Sequence, residues 1–256
     1  ISISNGTLSL KYETGAATLD VLGSYTQSGG TFNMHSRNAT TANTNTMNVF
    51  GNFLMSNGTF RFDNFASGAG LAEHNLFLYG TSFTLDGNAS ITHANDLTTN
   101  YIFGQIYFAY PGTTDYLRYS NTNSINHVRY TVQPSTTLNA SNSTYPLQIT
   151  SVDNSTPANH FALTVNGTLD MGSNIIQARQ TGSHYSRVIV ASGGRYRLSH
   201  TGGLYSGDAL IPSSIDGFIN GNNRLNYQLN PSSIVEYYGT STMQITGIPN
   251  GIASGN

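Results

Sequence analysis

Two series of glycines recur along this chain at nearly constant steps, and this repeat restricts the possible folds more than any other feature. The first series consists of Gly23, Gly51, Gly80 and Gly104, and the second of Gly30, Gly58, Gly87 and Gly112. The two series keep step with each other along the chain, because each glycine of the second follows one of the first at almost the same interval. Since short strands that return roughly every 20–30 residues are typical of a solenoid, the repeat predicts stacked coils with a line of corners for each glycine series.

The clearest copy of the repeat is NVFGNFLMSNGTFRFD, residues 48–63. Asn57-Gly58 is a strong turn signal because both residues tolerate positive φ. The alternation Phe60-Arg61-Phe62 after it has the period of a strand with one buried face. Alone, this pattern would indicate a hairpin. Since equivalent residues return at a near-constant step, we expect parallel stacking instead.

Looser copies of the motif extend the repeat along the chain. They are NGTLSL at 5–10, NGTLDM at 166–171 and GGRYRL at 193–198, and they add Gly167 and Gly194 to the predicted corners. The sequence therefore predicts an all-β parallel β-helix of about eight irregular coils, each of roughly 22–30 residues. We expect one domain over residues 1–256, with a loop-rich excursion around 199–228. The residues predicted to be buried include Phe60, Phe62, Phe83, Leu85, Leu169 and Met171.

The charge content is unusually low and excludes several classes of partner. Only 9% of the residues are charged, and the formal net charge is -2. Such a chain cannot form a basic field, so nucleic acid and anionic membrane are not expected partners. No apolar run is long enough to cross a membrane, so membrane insertion is not predicted. The 16 tyrosines and 12 phenylalanines argue against disorder, and the absence of cysteine excludes disulfides.

Both ends of the chain lack the atypical capping repeat that solenoids require. The chain starts directly on the strand-like ISISNGTLSL, and residues 247–256 form a Gly/Asn/Ser-rich tail. We therefore expect a segment of a longer protein, with flanking modules of the same polypeptide as partners.

No motif for catalysis or metal binding emerges from the titratable residues. Glycoside hydrolysis needs two facing carboxylates, and the twelve Asp and Glu residues include no close pair in sequence. Asp86 and Asp170 lie near glycine corners, where a carboxylate accepts turn N–H groups. The seven histidines are scattered without metal-ligand spacing. The sequence thus predicts no catalytic residue, no metal and no cofactor.

The aromatic residues offer the only candidates for ligand binding. A tyrosine-rich stretch contains Tyr107, Tyr110, Tyr116 and Tyr119. Their rings could stack on sugars, or they could form an internal ladder in which equivalent positions of successive coils pack in the core. The alternation of the stretch favours the core for some of them.

Three runs carry a resemblance to a known family: VFGNFLMSNGTFRF, FALTVNGTLDMGSNII and SSIVEYYGTSTMQITGIPNG. They resemble repeats in large surface and adhesin-like proteins exported by the type IX secretion system, which read roughly T-V-N-G-x-L-x-L-x-S-G-T-L-x-L, followed by S-x-V-x-Y-x-G-x-x-x-Q-x-I. Residues 233–245 match the second pattern well. The resemblance covers most of the chain and is poorest over residues 201–228.

The resemblance implies a right-handed parallel β-helix that is exported and displayed outside the cell. It implies a non-catalytic structural segment of a secreted or cell-surface protein, in contact with the secretion machinery during export. Surface polysaccharide and other surface proteins are further expected partners. The alternative is a carbohydrate-binding or polysaccharide-degrading β-helix, because this fold also hosts such enzymes.

Overall fold

A computed structural model describes most of the chain. The described residues are 1–10, 16–34, 44–62, 74–93, 104–150, 161–179, 186–204, 214–216, 218–219, 222–223 and 225–240. All regular elements in these ranges are strands. Within them, no helix is long and apolar enough to cross a membrane.

The described residues form 25 strands. They are β1 (Ser2–Ile3), β2 (Thr7–Ser9), β3 (Thr18–Val21), β4 (Tyr25–Asn33), β5 (Thr46–Val49), β6 (Phe53–Arg61), β7 (His74–Leu78), β8 (Ser82–Leu85), β9 (Ser90–Thr92), β10 (Gly104–Phe108), β11 (Thr113–Arg118), β12 (Ser124–Asn126), β13 (Val128–Val132), β14 (Thr137–Asn139), β15 (Leu147–Thr150), β16 (Phe161–Val165), β17 (Thr168–Asp170), β18 (Ile176–Arg179), β19 (Ser186–Val190), β20 (Arg195–Leu198), β21 (Ile215–Asp216), β22 (Phe218–Ile219), β23 (Asn222–Asn223), β24 (Leu225–Leu229) and β25 (Ile234–Tyr237).

Nearly all of these strands belong to three parallel sheets. Sheet A follows the order β1-β4-β6-β8-β11-β14-β17-β20-β25, with β2, β9 and β12 attached beside this path. Sheet B contains eight strands in the order β24-β19-β16-β13-β10-β7-β5-β3, and sheet C contains β15-β18-β21. Only the short pair β22–β23 is antiparallel among the described strands. The predicted all-β parallel β-helix is confirmed.

After β1 and β2, each coil passes through a strand of sheet B and then a strand of sheet A. In the second and third coils the sheet A strands, β4 and β6, are nine residues long and contain Gly30 and Gly58 at φ of 65° and 85°. The positive φ bends each strand, so that its second half pairs on a third face with β2 or β9. Asn57-Gly58 is therefore a bend within β6, which is parallel to β4, and not the turn of a hairpin.

The interior is filled by aligned side chains from successive coils. The residues predicted to be buried are confirmed: Phe60, Phe62, Phe83, Leu85, Leu169 and Met171 have at most 1% exposure. Because the parallel register places like above like, Tyr25, Phe53, Phe83 and Tyr116 form one internal stack, with successive ring centroids 4.8, 5.2 and 5.5 Å apart.

The first three glycines of the first series line one bend, between sheet B and sheet A. Gly51 donates its N–H to the carbonyl of Gly23 at 3.0 Å. A Cβ atom at Gly80 would overlap the carbonyl group of Gly51. Gly51 and Gly80 are therefore required by the close approach of successive backbones, and not by positive φ.

We expect Gly80→Ala to destabilise the protein by about 1–3 kcal/mol, because the added methyl group overpacks the bend. Gly23→Ala is a matched control, since no atom lies within 4 Å of a Cβ built there. Urea denaturation should give a lower midpoint for Gly80→Ala and an unchanged or slightly higher one for Gly23→Ala. Equal midpoints for the two variants would show that the bends are not in contact.

One predicted corner, Gly104, is wrong, and Gly112 is a corner at a different bend from the one predicted. Gly104 is the first residue of β10, in register with His74 and Val128, and a Cβ there would overlap the ring of Phe62. Gly112 lies directly before β11, at the bend between sheets B and A rather than at the second bend.

The register of the following strands places Gly167 and Gly194 at the same bend as Gly112, directly before β17 and β20. The second bend is lined by Gly6, Gly30, Gly58 and Gly87, all at positive φ. In the next coil Asn123 takes over this bend, where its side-chain amide donates to the carbonyls of Asp86 and Gly87 at 2.8 Å each.

The later coils are less regular than predicted. Tyr130 pairs with Leu163 and Ser186 pairs with Leu225, so both of these coils are longer than the expected coil length. The predicted excursion at 199–228 is also interrupted, because β21 pairs with β18 and β24 returns to sheet B. Residues 241–245, the end of the segment that matches the second family pattern, and the tail at 247–256 lie outside the described residues.

Candidate binding surface

The four tyrosines singled out from the sequence do not form one patch. Tyr116 is fully buried in the internal stack, so the core alternative holds for this residue. Tyr107 is a half-buried outward residue of sheet B, and Tyr110 is half-buried at the following bend. Tyr119 follows β11 and is 47% exposed. The four side chains lie apart for two reasons. β10 and β11 belong to different sheets, and successive side chains along each strand point to opposite faces of its sheet.

A different group of aromatic rings meets on the outer face of sheet B. Phe77 and Tyr107 are paired in register and stack with centroids 4.4 Å apart. Phe50 and Tyr79 directly follow the paired residues at the ends of β5 and β7 and stack at 5.0 Å. The two stacks adjoin, since Phe77 and Tyr79 are 6.4 Å apart. We call Phe50, Phe77, Tyr79 and Tyr107 the aromatic strip.

The aromatic strip is bordered by a polar pair and by an exposed leucine. Asp20 and Asn48 occupy the same register column as Phe77, and Asn48 Nδ2 donates to Asp20 Oδ1 at 2.7 Å. Leu22 follows β3 and is 84% exposed, while Phe50 is 45% exposed. The surface thus combines apolar rings with a carboxylate and an amide.

A signal for the aromatic strip was present in the sequence. Leu22, Phe50 and Tyr79 each stand immediately before a glycine of the first series. Since the glycine lines the bend, the residue before it occupies an equivalent place in each coil. These three large residues lie outside the tyrosine-rich stretch, so the sequence prediction did not include them.

The outer face of sheet A carries a second aligned group. The register connects Asp115, Asn139, Asp170, Arg197 and Glu236 in one column, which we call the polar ladder. Asn139 Nδ2 donates to Asp115 at 2.7 Å, and Arg197 forms ion pairs with Asp170 at 2.6 Å and with Glu236 at 3.2 Å. The arginine therefore lies between two carboxylates and connects three successive coils.

Asp170 is held by several donors in addition to Arg197. The Tyr238 hydroxyl donates to it at 2.6 Å, and the Gly172 N–H donates at 3.2 Å. Burial, followed by the bonded Asp170 carboxylate, raises the pKa of Tyr238 to about 12. Asp86 similarly accepts the Gly87 N–H at 2.7 Å. Both aspartates thus have the turn role that the sequence predicted.

Two arginines act on the titration of Glu236, which lies in β25. The hydrogen bond from Arg195 at 2.6 Å, and then Arg197, lower the pKa of Glu236 below its ordinary 4.5. Because the folded-state pKa is lowered, this contribution to stability is present above pH 4.5 and is lost as the pH falls through the lower folded-state value.

We therefore expect Glu236→Gln to lower the melting temperature at pH 7 but to narrow the difference between pH 7 and pH 3. Thermal melts of both proteins at the two pH values measure this change. Asp20→Asn is a suitable control, since Asp20 is exposed and forms no ion pair in the described part of the chain. An equal acid sensitivity in wild type and Glu236→Gln would contradict the assigned role.

The described residues contain no group of three or more His, Cys, Asp or Glu side chains that could hold a metal ion. The buried rings of His74 and His93 stack at 6.2 Å. His74 Nδ1 accepts the backbone N–H of Asn45 at 3.0 Å, so this nitrogen is engaged with the backbone. Both rings are therefore packed in the interior.

Comparison with known proteins does not place the chain in a family. No protein-family model matches it, and no curated protein or solved structure matches it either.

Proposed function

We propose that this chain is a non-catalytic structural segment of a secreted or cell-surface adhesin-like protein, exported by the type IX secretion system. The observation that carries the proposal is the continuity of the parallel sheets. Sheet B runs through eight strands, and the main path of sheet A runs through nine. Parallel strands about 4.8 Å apart form a stiff scaffold that presents outward side chains from successive coils.

The electrostatics of the outer surface also support a structural role. The carboxylates of Asp170 and Glu236 are bound to arginines, and Asp115 accepts an amide hydrogen bond. A glycosidase acid requires a raised pKa, whereas the Arg195 hydrogen bond lowers the pKa of Glu236. The polar ladder therefore stabilises the coils and is poorly suited to proton transfer.

The second candidate function is carbohydrate binding, and the aromatic strip favours it. Exposed rings beside the Asp20–Asn48 pair offer both stacking and hydrogen bonding. This function is compatible with an adhesin-like scaffold, because binding requires no turnover. Polysaccharide degradation has no comparable support from the described residues.

Protease treatment of intact source cells tests the location. If the chain is displayed outside the cell, brief trypsin treatment should release its peptides while cytoplasmic marker proteins stay intact. Cells lysed before treatment provide the control for total protein. Recovery of the chain only from the lysed sample, with none released from intact cells, would contradict surface display.

A further inference from the structure

We propose that the aromatic strip, together with Asp20 and Asn48, binds a neutral polysaccharide. The proposal gives a ligand class to the adhesive surface and in that sense rests on the proposed function. The proposal is based on apolar and polar side chains that lie side by side on the outer face of sheet B, on successive coils.

The column through Phe50 and Tyr79 leaves a place for a further ring where it ends. The column through Phe50 and Tyr79 continues to Ala109, since Tyr79 N–H donates to the Val49 carbonyl and Ala109 N–H donates to that of Leu78 in the same pattern. Because Ala109 has only a methyl group where the previous coil has the phenol ring of Tyr79, the sheet face is lower at Ala109. Among the described residues, the ring contacts of Tyr79 are those with Phe50 and Phe77, and its side chain is half-buried. A sugar ring could pack its C–H face there.

The polar pair supplies hydrogen bonds at the other side of the strip. Asp20 is exposed, and its Oδ1 accepts the Asn48 amide, which fixes the carboxylate. Asp20 lies two strands from Phe77 in the same column, about 9–10 Å away at the usual strand spacing. A polysaccharide lying across the strands could therefore contact the rings and donate hydroxyls to the carboxylate together.

The charge of this surface selects a neutral ligand. The outward residues of β3, β5 and β7 are Thr18, Asp20, Thr46, Asn48, Asn75 and Phe77. They include one carboxylate and no cation. A uronate polymer would be repelled by Asp20 and would find no basic partner on these strands.

Affinity gel electrophoresis of the purified chain tests the proposal. The gels contain mixed-linkage β-glucan, galactomannan or dextran as neutral polymers, and polygalacturonate as the anionic polymer. We expect at least one neutral polymer to retard the wild type. Tyr79→Ala and Phe50→Ala should each weaken that binding about tenfold or more, and Asp20→Asn should also weaken it. Tyr119→Ala is the matched control and should bind like the wild type.

The circular dichroism spectrum of each variant must first match that of the wild type. Tyr79→Phe provides a second test with minimal risk to folding. Because this variant keeps the aromatic ring, it should retain most of the binding. Absence of retardation by all the neutral polymers would overturn the proposal, as would binding that survives both alanine substitutions or a preference for polygalacturonate. A dimer of the wild type in sedimentation that is lost in Phe50→Ala would instead identify the strip as a self-association surface and also overturn it. If the chain binds no polymer, the proposed display at the cell surface is not contradicted. If the chain binds glycan but is found in the cytosol, only the proposed surface location is refuted.

Discussion

Phe60→Ala should lower the free energy of unfolding by about 3–5 kcal/mol, as expected for truncating a fully buried phenylalanine. The ring is fully buried, stacks on Phe32 at 5.0 Å, and meets Tyr25, Phe53 and Phe62 edge-on at 5.2–5.8 Å. The cavity is bounded on several sides by rings that cannot easily collapse into it. Urea denaturation measures the loss, and Tyr119→Ala, at an exposed site, should change stability by no more than about 0.5 kcal/mol.

The damage from Phe60→Ala should stay close to its own coil. In a solenoid each repeat contacts only its neighbours, and β6 pairs with β4, β8 and β9. Hydrogen exchange should therefore show lost protection in these four strands while β19 and β20 keep theirs. Equal loss of protection in β6 and in β19–β20 would mean that the chain unfolds as one cooperative unit.

Alkaline pH should unfold the protein, because four tyrosines are fully buried in the core. Burial raises the pKa of Tyr25, Tyr116, Tyr130 and Tyr196 above the ordinary 10.0. Above pH 10 the unfolded chain loses these protons while the folded chain keeps them, so stability is intact below pH 10 and falls as the pH rises above it. Each of these groups contributes at most about 1.4 kcal/mol per pH unit while the folded chain keeps its proton. Since a domain of ordinary stability has only about 5–15 kcal/mol, we expect the buried tyrosines together to unfold it at alkaline pH.

Tyr116→Phe tests this alkaline sensitivity directly. The Tyr116 hydroxyl lies near that of Tyr130 but makes no hydrogen bond of good geometry within the described residues, so its removal should cost little at pH 7. The unfolding free energy, measured in urea between pH 10 and 11.5, should fall less steeply in the variant by about 1.4 kcal/mol per pH unit. The part of the phenolate absorbance that comes from the buried tyrosines should rise in step with unfolding. The same slope in both proteins would show that Tyr116 titrates in the folded state.

The stacking and the buried face could be predicted well from the sequence, since both depend on local regularity. Constant steps between Gly23, Gly51 and Gly80 can be satisfied only if successive coils lie in register. Alternation around Phe60 and Phe83 identified which face is buried, because strand side chains alternate strictly between faces. These features are repeated several times, so single irregular coils do not obscure them.

The sequence did not predict places where one coil has a different type of residue from the equivalent place in the other coils. Gly112 continues the spacing of the second series, yet the structure places it at the first bend, and Asn123 fills the vacated place with amide hydrogen bonds. The aromatic strip and the polar ladder depend on register between coils of unequal length. Gly104 pairs with Val128, whereas Tyr130 pairs with the more distant Leu163. The spacing of residues alone does not tell which part of such a coil is strand and which part is loop.

An assay for cleavage of polysaccharides tests most directly whether the chain is non-catalytic, as we propose. The purified chain is incubated with the neutral polymers and with polygalacturonate, and reducing ends and unsaturated products are measured. We predict no product above the level of a heat-denatured sample, because the Asp170 and Glu236 carboxylates are held by arginines. Product formation that is abolished by Asp115→Asn or Asp170→Asn would contradict the proposed structural role and identify the polar ladder as an active site.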